Sequence, residues 1–437
     1  MNDLRTANLA FAAARPGERE QRQPVHTVYG GAQLFKHDIG RRLGAVARTA
    51  QELYAPAAAD LAEALGWESD GDLTNRVFSR VHARLRAQPV EDFRIDFEDG
   101  YGNRTGEEED HHARVAGAEL AKGLAEDVLP PFIGLRIKPL NEELRARSER
   151  TLGIVLESLL RESGGRLPSQ FVVTLPKITV VAQVEHFVTV LGSLEQRLQL
   201  SPRALRFEIM VETPQIIIDG EGRCPLPAII LAGDGRITGA HFGTYDYTAG
   251  LGITAAQQKM QHPACDHAKH VMQVALAGTG VFLSDGSTAV LPAPSVRAEG
   301  RALTPEEQQQ NRRGVHHAWK LHYDDVMHSL AGGFYQGWDL HPAQLVTRYA
   351  AVYRFFLEGL EAAGARLRNF VDKAAQATLL GDVFDDAATG QGLLNYFVRA
   401  INCGAVTEQE TIERTGLTLD ELQSRSFSAI LRSRTAR

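Results

Sequence analysis

The chain has 437 residues, enough for about three domains at roughly 150 residues each, or for one large barrel with additions. Hydrophobic residues at 43% and charged residues at 23% exclude a disordered or low-complexity chain. Lysine and arginine total 47 against 54 aspartates and glutamates, a net charge of −7 with no basic domain, so nucleic acid is excluded as an expected partner.

In chain order, the apolar stretch Ala7 to Ala14 follows Asp3 and Arg5 and is too brief for a secretory signal. No window approaches the ~18 uninterrupted apolar residues of a membrane span, so a cytoplasmic protein without a membrane partner is expected. A first strand-like run at Val25–Val28 precedes Ala-, Leu- and Arg-rich segments at 41–66 and 73–87, whose apolar spacing is helical. Pro56 lies near a helix start and Pro89 closes the second segment. From residue 93 the texture changes to short apolar runs, each followed by a helical stretch. They are Phe93-Ile95-Phe97, Ile133-Leu135-Ile137, Phe171–Leu175, Phe207-Ile209-Val211, Ile237-Ala240-Phe242 and Gly280–Leu283, with a last run at Gly333–Leu340. The starts near 133, 171, 207, 237 and 280 are spaced by a strand, a helix and two loops, which predicts a parallel sheet with right-handed crossovers. Eight units without a Gly-rich phosphate fingerprint predict an α/β fold, a (β/α)8 TIM barrel rather than an open sheet. The segment 298–313, rich in Glu, Gln and Arg, reads as a solvated excursion, and 345–437 as helices without strand signal. The expected organisation is an N-terminal helical segment at 1–90 that includes the first barrel strand, a barrel at 91–345 and a C-terminal helical cap at 346–437.

A barrel of this kind builds its active site at the carboxyl ends of its strands, so the polar residue closing each run is the one to inspect. These are Asp96, Glu98 and Asp99 in RIDFEDG, Arg136 and Lys138 in GLRIKPL, Lys177 in TLPKI, Glu212 in IMVETPQ, Asp246 in HFGTYDYTAGLG, Asp285 in FLSDG and His341 in GWDLHPAQL. Glu212 and Asp246, on successive strands, converge on one side of the mouth. Two such oxygen ligands, with waters completing the octahedron, suit Mg²⁺ or Mn²⁺; the alternative is a pair of helix caps or salt-bridge partners. Arg136 suits bidentate binding of a carboxylate; the alternative is a structural salt bridge to Asp96 or Glu98.

The order of these motifs resembles the citrate lyase beta subunit and malyl-CoA lyase superfamily, within the barrel group that includes malate synthase and the HpcH/HpaI-like aldolases. DFEDG is similar to its Asp-Leu-Glu-Asp strand, LRIKPL to its Arg-Val-Asn strand, LPKI to its Pro-Lys strand and VETP to its metal-binding Glu strand. HFGTYDYTAGLG resembles the segment that supplies the metal-binding Asp, and GFYQGWDLHPAQL the signature that closes the barrel. Six matches in this order cover roughly residues 93–345. The resemblance implies Glu212 and Asp246 as metal ligands, Arg136 as the contact to a 2-oxo acid or thioester, and Glu98 and Asp99 as carboxylates orienting metal-bound water and binding substrate. FDDAATGQGLLNYF resembles the Glu-Asp-Ala-Ala-Thr stretch of malate synthases, which implies Asp386 as the catalytic base, with Asp385 before it; the alternative is a helix N-cap. Lys138 stands where the family has Asn, and GWDLHP lacks the common Gly-Lys.

What the resemblance implies is a Mg²⁺-dependent carbon-carbon lyase or synthase acting on a small carboxylic acid, free or as its CoA thioester, through an enolate; a homo-oligomer is compatible with it. The alternatives are a CoA-independent pyruvate-type aldolase and a barrel that binds an acid without turning it over. Lys177 is expected to pair with a barrel carboxylate rather than to form a Schiff base. The histidines at 262, 267, 270, 316, 317 and 322 lack a metal-ligand pattern and are expected at the surface, and Cys224, Cys265 and Cys403 form neither a disulfide framework nor a zinc site.

Overall fold

Every one of the eight apolar runs becomes a strand; the first seven pair in parallel with their sequence neighbours, and the eighth pairs with the first. The strands are β1 (His26–Gly31), β2 (Asp92–Asp96), β3 (Phe132–Arg136), β4 (Phe171–Leu175), β5 (Arg206–Val211), β6 (Ile237–Phe242), β7 (Phe282–Ser284) and β8 (Gly337–Asp339). This computed structural model describes residues 2–17, 21–67, 71–298, 300–372, 378–380, 383–385 and 387–435. The sheet runs in order β7 to β1 and then β8, with His26 opposite Gly337 and Val28 opposite Asp339. Just past β7, a parallel bridge between Ser287 and Trp338 and the bond from Trp338 N–H to Gly286 O (3.0 Å) bring the two edges together. The fold is therefore the expected (β/α)8 barrel.

Strand alternation decides which residues enter the barrel. Phe93, Ile95, Leu135, Val173, Phe207 and Ile209 are buried beneath the surrounding helices; Phe187 of the helix Val181–Arg197, for example, meets Phe207 edge-on at 5.2 Å. The opposite parity is polar. Arg94, fully buried, donates to Glu208 Oε2 (2.6 Å), to Thr174 Oγ1 (3.2 Å) and to Asp92, while His241 Nε2 meets the same Glu208 oxygen at 2.9 Å. Thr27 donates to Asp92 Oδ2 (2.9 Å), and Gln336 Nε2 donates to Thr27, so β1, β2, β4, β5 and β6 are joined inside the barrel by hydrogen bonds. Desolvation works against the Glu208 anion, yet Arg94 and His241 hold its carboxyl down at about 2.

Around the barrel, Pro56 separates the helices Ile39–Tyr54 and Ala58–Leu65, and Gly71–Ala87 follows and packs against Gln344–Glu358. Three expectations need correction. The excursion at 298–313 contains the first turns of a long helix, Pro305–Ala331, whose Thr304 hydroxyl accepts from Glu307 N–H (3.3 Å) while Glu307 returns the bond. Solvation of those turns is why their composition reads as loop. The C-terminal region carries two short antiparallel strands, Thr378–Leu380 and Val383–Asp385, where the sequence reading expected helices without strand signal. His322 is buried, not superficial, bonded to Thr347 Oγ1 (2.6 Å) and Asp339 Oδ1 (3.0 Å).

Gly134 on β3 tests the packing of this interior. A Cβ there would lie 1.8 Å from the Val172 carbonyl oxygen, a backbone atom of β4 that cannot move aside without breaking the sheet. Gly134→Ala is expected to destabilise the protein by about 3 kcal/mol, read as a lowered urea midpoint; an unchanged midpoint would show that β3 and β4 are more loosely paired than described.

Candidate active site

The inward parity of the strands continues upward and delivers a second charged layer at the carboxyl ends. Asp96 ends β2, Arg136 ends β3, Glu212 follows β5, and Asp246 lies in the short helix Thr244–Gly250 just after β6. Arg136 is held as a fork: Nε donates to Asp96 Oδ1 (2.8 Å) and Nη2 to Asp96 Oδ2 (2.6 Å). The same carboxylate accepts from Glu98 N–H (3.0 Å) and Gly100 N–H (2.7 Å), so the DFEDG loop wraps around it. A Cβ on Gly100 would lie 2.6 Å from Asp96 Oδ2, which is why the loop needs glycine there.

Wrapping the loop this way aims Glu98 and Asp99 over the mouth. Arg136 Nη1 lies 3.1 Å from Glu98 Oε2 and 3.7 Å from Asp99 Oδ2. Its guanidinium also rests 4.8 Å from the Tyr29 ring and 5.8 Å from the Trp338 ring, and these two rings are 4.4 Å apart. Lys177, in the loop after β4, reaches into the middle. Its ammonium is 2.6 Å from Glu98 Oε1, 2.9 Å from Asp246 Oδ2 and 3.4 Å from Asp99 Oδ2, and its backbone N–H donates to Glu212 Oε1 (2.7 Å). That bond holds a non-glycine residue at φ +49°, in the left-handed region.

Five carboxylates thus face two cations. Burial pushes the Glu212 carboxyl up to about 8, with the charge of Asp246 adding to it and that of Lys177 opposing it. Burial also raises Glu98, opposed by Arg136 and reinforced by Asp99. Desolvation lowers the Lys177 pKa, but Glu212 and Glu98 more than offset it and hold the ammonium above the usual lysine range. Glu212 is 2% exposed, whereas the Asp99 and Asp246 side chains are 61% and 43% exposed, so the layer opens to solvent on their side.

The structure brings together Asp96, Glu98, Asp99, Arg136, Lys177, Glu212 and Asp246. Other expected mouth residues are engaged elsewhere. Lys138 pairs with Glu109 (3.3 Å) and the Phe97 carbonyl, Asp285 with Lys269 (3.0 Å) and Ser329 (2.6 Å), and His341 Nδ1 accepts from Ala343 N–H (3.2 Å) at a helix start. Asp386 lies outside the described residues, as does the side chain of Asp385. Sequence reasoning missed Tyr29 and Trp338; the aromatic residues near the ends of the first and last runs were the available signal. Among the described residues, no three of His, Cys, Asp or Glu are gathered as a ready-made metal cage, and no helix is long and apolar enough to cross a membrane. The three cysteines are free.

The fold is one that a solved citrate lyase structure shares. The chain belongs to the family described as Domain of unknown function (DUF6986), which it matches over residues 4–430. The crystal structure of a citrate lyase from Burkholderia xenovorans LB400 is similar with a TM-score of 0.55 at 19% identity, covering 77% of this chain and 91% of that one. Haloferax volcanii malate synthase in its lead(II) complex gives 0.48 at 14% identity, covering 94% and 99%. CitE from Mycobacterium tuberculosis, in complex with magnesium, acetoacetate and coenzyme A, gives 0.46 at 15% identity, covering 91% and 100%. No curated protein matches the chain.

Two measurements check this geometry. Arg136→Lys keeps the charge but loses the planar fork on Asp96, and is expected to fold with a loss of about 2 kcal/mol; a urea midpoint equal to wild type would mean the fork is not engaged. Glu212 titrates higher when folded than when unfolded, so the stability tied to its protonated form is full below the ordinary carboxyl range and is lost as pH rises through about 8. In metal-free protein, Glu212→Gln should therefore gain on wild type between pH 5 and pH 9 in paired denaturation curves. A constant difference across that range would show that Glu212 is not the raised group.

Proposed function

We propose that the barrel mouth is the active site of a divalent-metal-dependent carbon-carbon lyase or synthase that acts on a small 2-oxo or hydroxy acid through an enolate. The observation that carries this reading is the adjacency of Glu212 and Asp246 in a layer already short of positive charge. A carboxyl held up at about 8 by burial and a neighbouring anion is a group that a further cation would ionise. The donors are hard oxygens, and Mg²⁺ takes one or two carboxylates and leaves its other positions to water and substrate, so the residues fit Mg²⁺ or Mn²⁺ without a larger cage. Glu212 and Asp246 would hold it; when bound, it supplies Lewis acidity toward the carboxylate and carbonyl or hydroxyl oxygens of the acid.

This chain's own residues have the remaining tasks. Arg136, fixed by Asp96, turns only Nη1 toward Glu98 and Asp99, and from there its charge offsets the negative charge that develops as an enolate forms. The Tyr29 and Trp338 rings beneath it keep water from its inner face, which preserves that electrostatic effect. Glu98 and Asp99 orient water or substrate hydroxyls at the mouth. By its resemblance to malate synthases, the FDDAAT segment assigns proton abstraction to Asp386.

Wild-type protein with Mg²⁺ is expected to retain at least one of glyoxylate, pyruvate and oxaloacetate in a mass-spectrometric binding screen. Glu212→Gln and Asp246→Asn should each abolish Mg²⁺ binding by calorimetry and retention of the acid with it, because an amide removes the charge a hard cation requires. Retention of no acid in the presence of Mg²⁺, or unchanged Mg²⁺ affinity in both variants, would sink the reading. Turnover assays with free acids beside their CoA thioesters then separate a thioester enzyme from a CoA-independent aldolase.

A further inference from the structure

Lys177 has more carboxylate neighbours than a structural ion pair needs. Its ammonium touches Glu98 and Asp246, approaches Asp99, and its backbone holds Glu212, so one residue contacts both carboxylates assigned to the metal and two of the three carboxylates of DFEDG. Resting on the functional reading above, we infer that Lys177 is a built-in counter-cation: its ammonium occupies Asp246 in the metal-free site and has to be displaced from it when a divalent metal loads.

Three features of the geometry support the exchange. The Asp246 oxygen 2.9 Å from the ammonium carries lone pairs that a hard cation also requires, so the two cations compete for one ligand. Two positive ions at that spacing repel each other, and repulsion acts on the one attached by a flexible stem. The lysine also has somewhere to go. Its side chain is 29% exposed, Glu98 Oε1 is already its shortest contact, and Asp99 at 61% exposure is free to follow the ammonium outward. The backbone does not move with it, because the bond from Lys177 N–H to Glu212 Oε1 fixes the loop independently of the side chain.

Built this way, the site keeps its carboxylates apart and ordered before metal arrives, at the cost of weaker metal binding. Removing the ammonium then has a sign that a merely structural role does not predict. Lys177→Met should bind Mn²⁺ about tenfold more tightly than wild type by calorimetry, as expected when a competing charge-assisted hydrogen bond is deleted. Lys177→Arg, which keeps the positive charge, should stay within about twofold of wild type. A third measurement needs no variant: in wild-type protein, the Lys177 ammonium protons should be slowed in solvent exchange and lose that protection when Mg²⁺ is added, but not with Na⁺. If wild type binds Mn²⁺ and Lys177→Met binds it equally or more weakly, or if the ammonium keeps its protection in saturating Mg²⁺, the displacement is wrong while the metal site stands. If neither protein binds Mn²⁺, the metal reading falls and this inference with it.

Discussion

Charge buried inside a barrel has to be paired, and that requirement organises this molecule from the base of the barrel to its mouth. In the lower layer Arg94 meets Asp92, Glu208 and, through Glu208, His241. In the upper layer Arg136 meets Asp96 in a fork. The Arg94–Glu208 and Arg136–Asp96 pairs join different strands, so they also constrain the relative positions of β2 with β5 and of β2 with β3. Hydrophobic burial on the outer faces holds the helices, but it is indifferent to how the strands slide; directional bonds inside are not.

The two layers differ in how completely they are satisfied. Around Arg94 and Glu208 the charges are enclosed, burial raises the Asp92 carboxyl, and Glu208 stays ionised at about 2. At the mouth the anions outnumber the cations, Glu212 is forced up to about 8, and one side is open through Asp99 and Asp246. An unsatisfied, partly exposed charge layer is costly for a purely structural element, and perturbed carboxyls in a cleft mark sites of chemistry. The same contrast explains why Arg136 is less free than a substrate-binding arginine read from sequence: Asp96 takes two of its donors, and only Nη1 remains directed at the mouth.

Lys177 links these observations. A lysine after a barrel strand, read alone, invites a covalent mechanism; its surroundings are those of a counter-ion. Four carboxylates brought together by three different strand ends would repel one another, and the ammonium between them lets the site exist before any ligand arrives.

The sequence by itself determined the strands, because a buried strand needs an apolar outer parity wherever it lies, and runs such as Phe93-Ile95 and Phe207-Ile209 carry that parity locally. It also determined which strand ends are charged, since Glu98, Arg136, Lys177, Glu212 and Asp246 each close a run. It did not determine partnership. That Arg136 binds Asp96 rather than standing open, that Lys177 spans β2 and β6, and that Tyr29 and Trp338 meet under the guanidinium all depend on barrel closure, which sets residues from distant segments side by side. The helical period misled at Thr378–Leu380, where antiparallel pairing with Val383–Asp385 outweighs periodicity, and His322 read as surface because its partner Asp339 lies on another element. Local pattern is a property of neighbouring residues in the chain; pairing, burial and the shift of Glu212 are properties of neighbours in space, and only the tertiary structure supplies those.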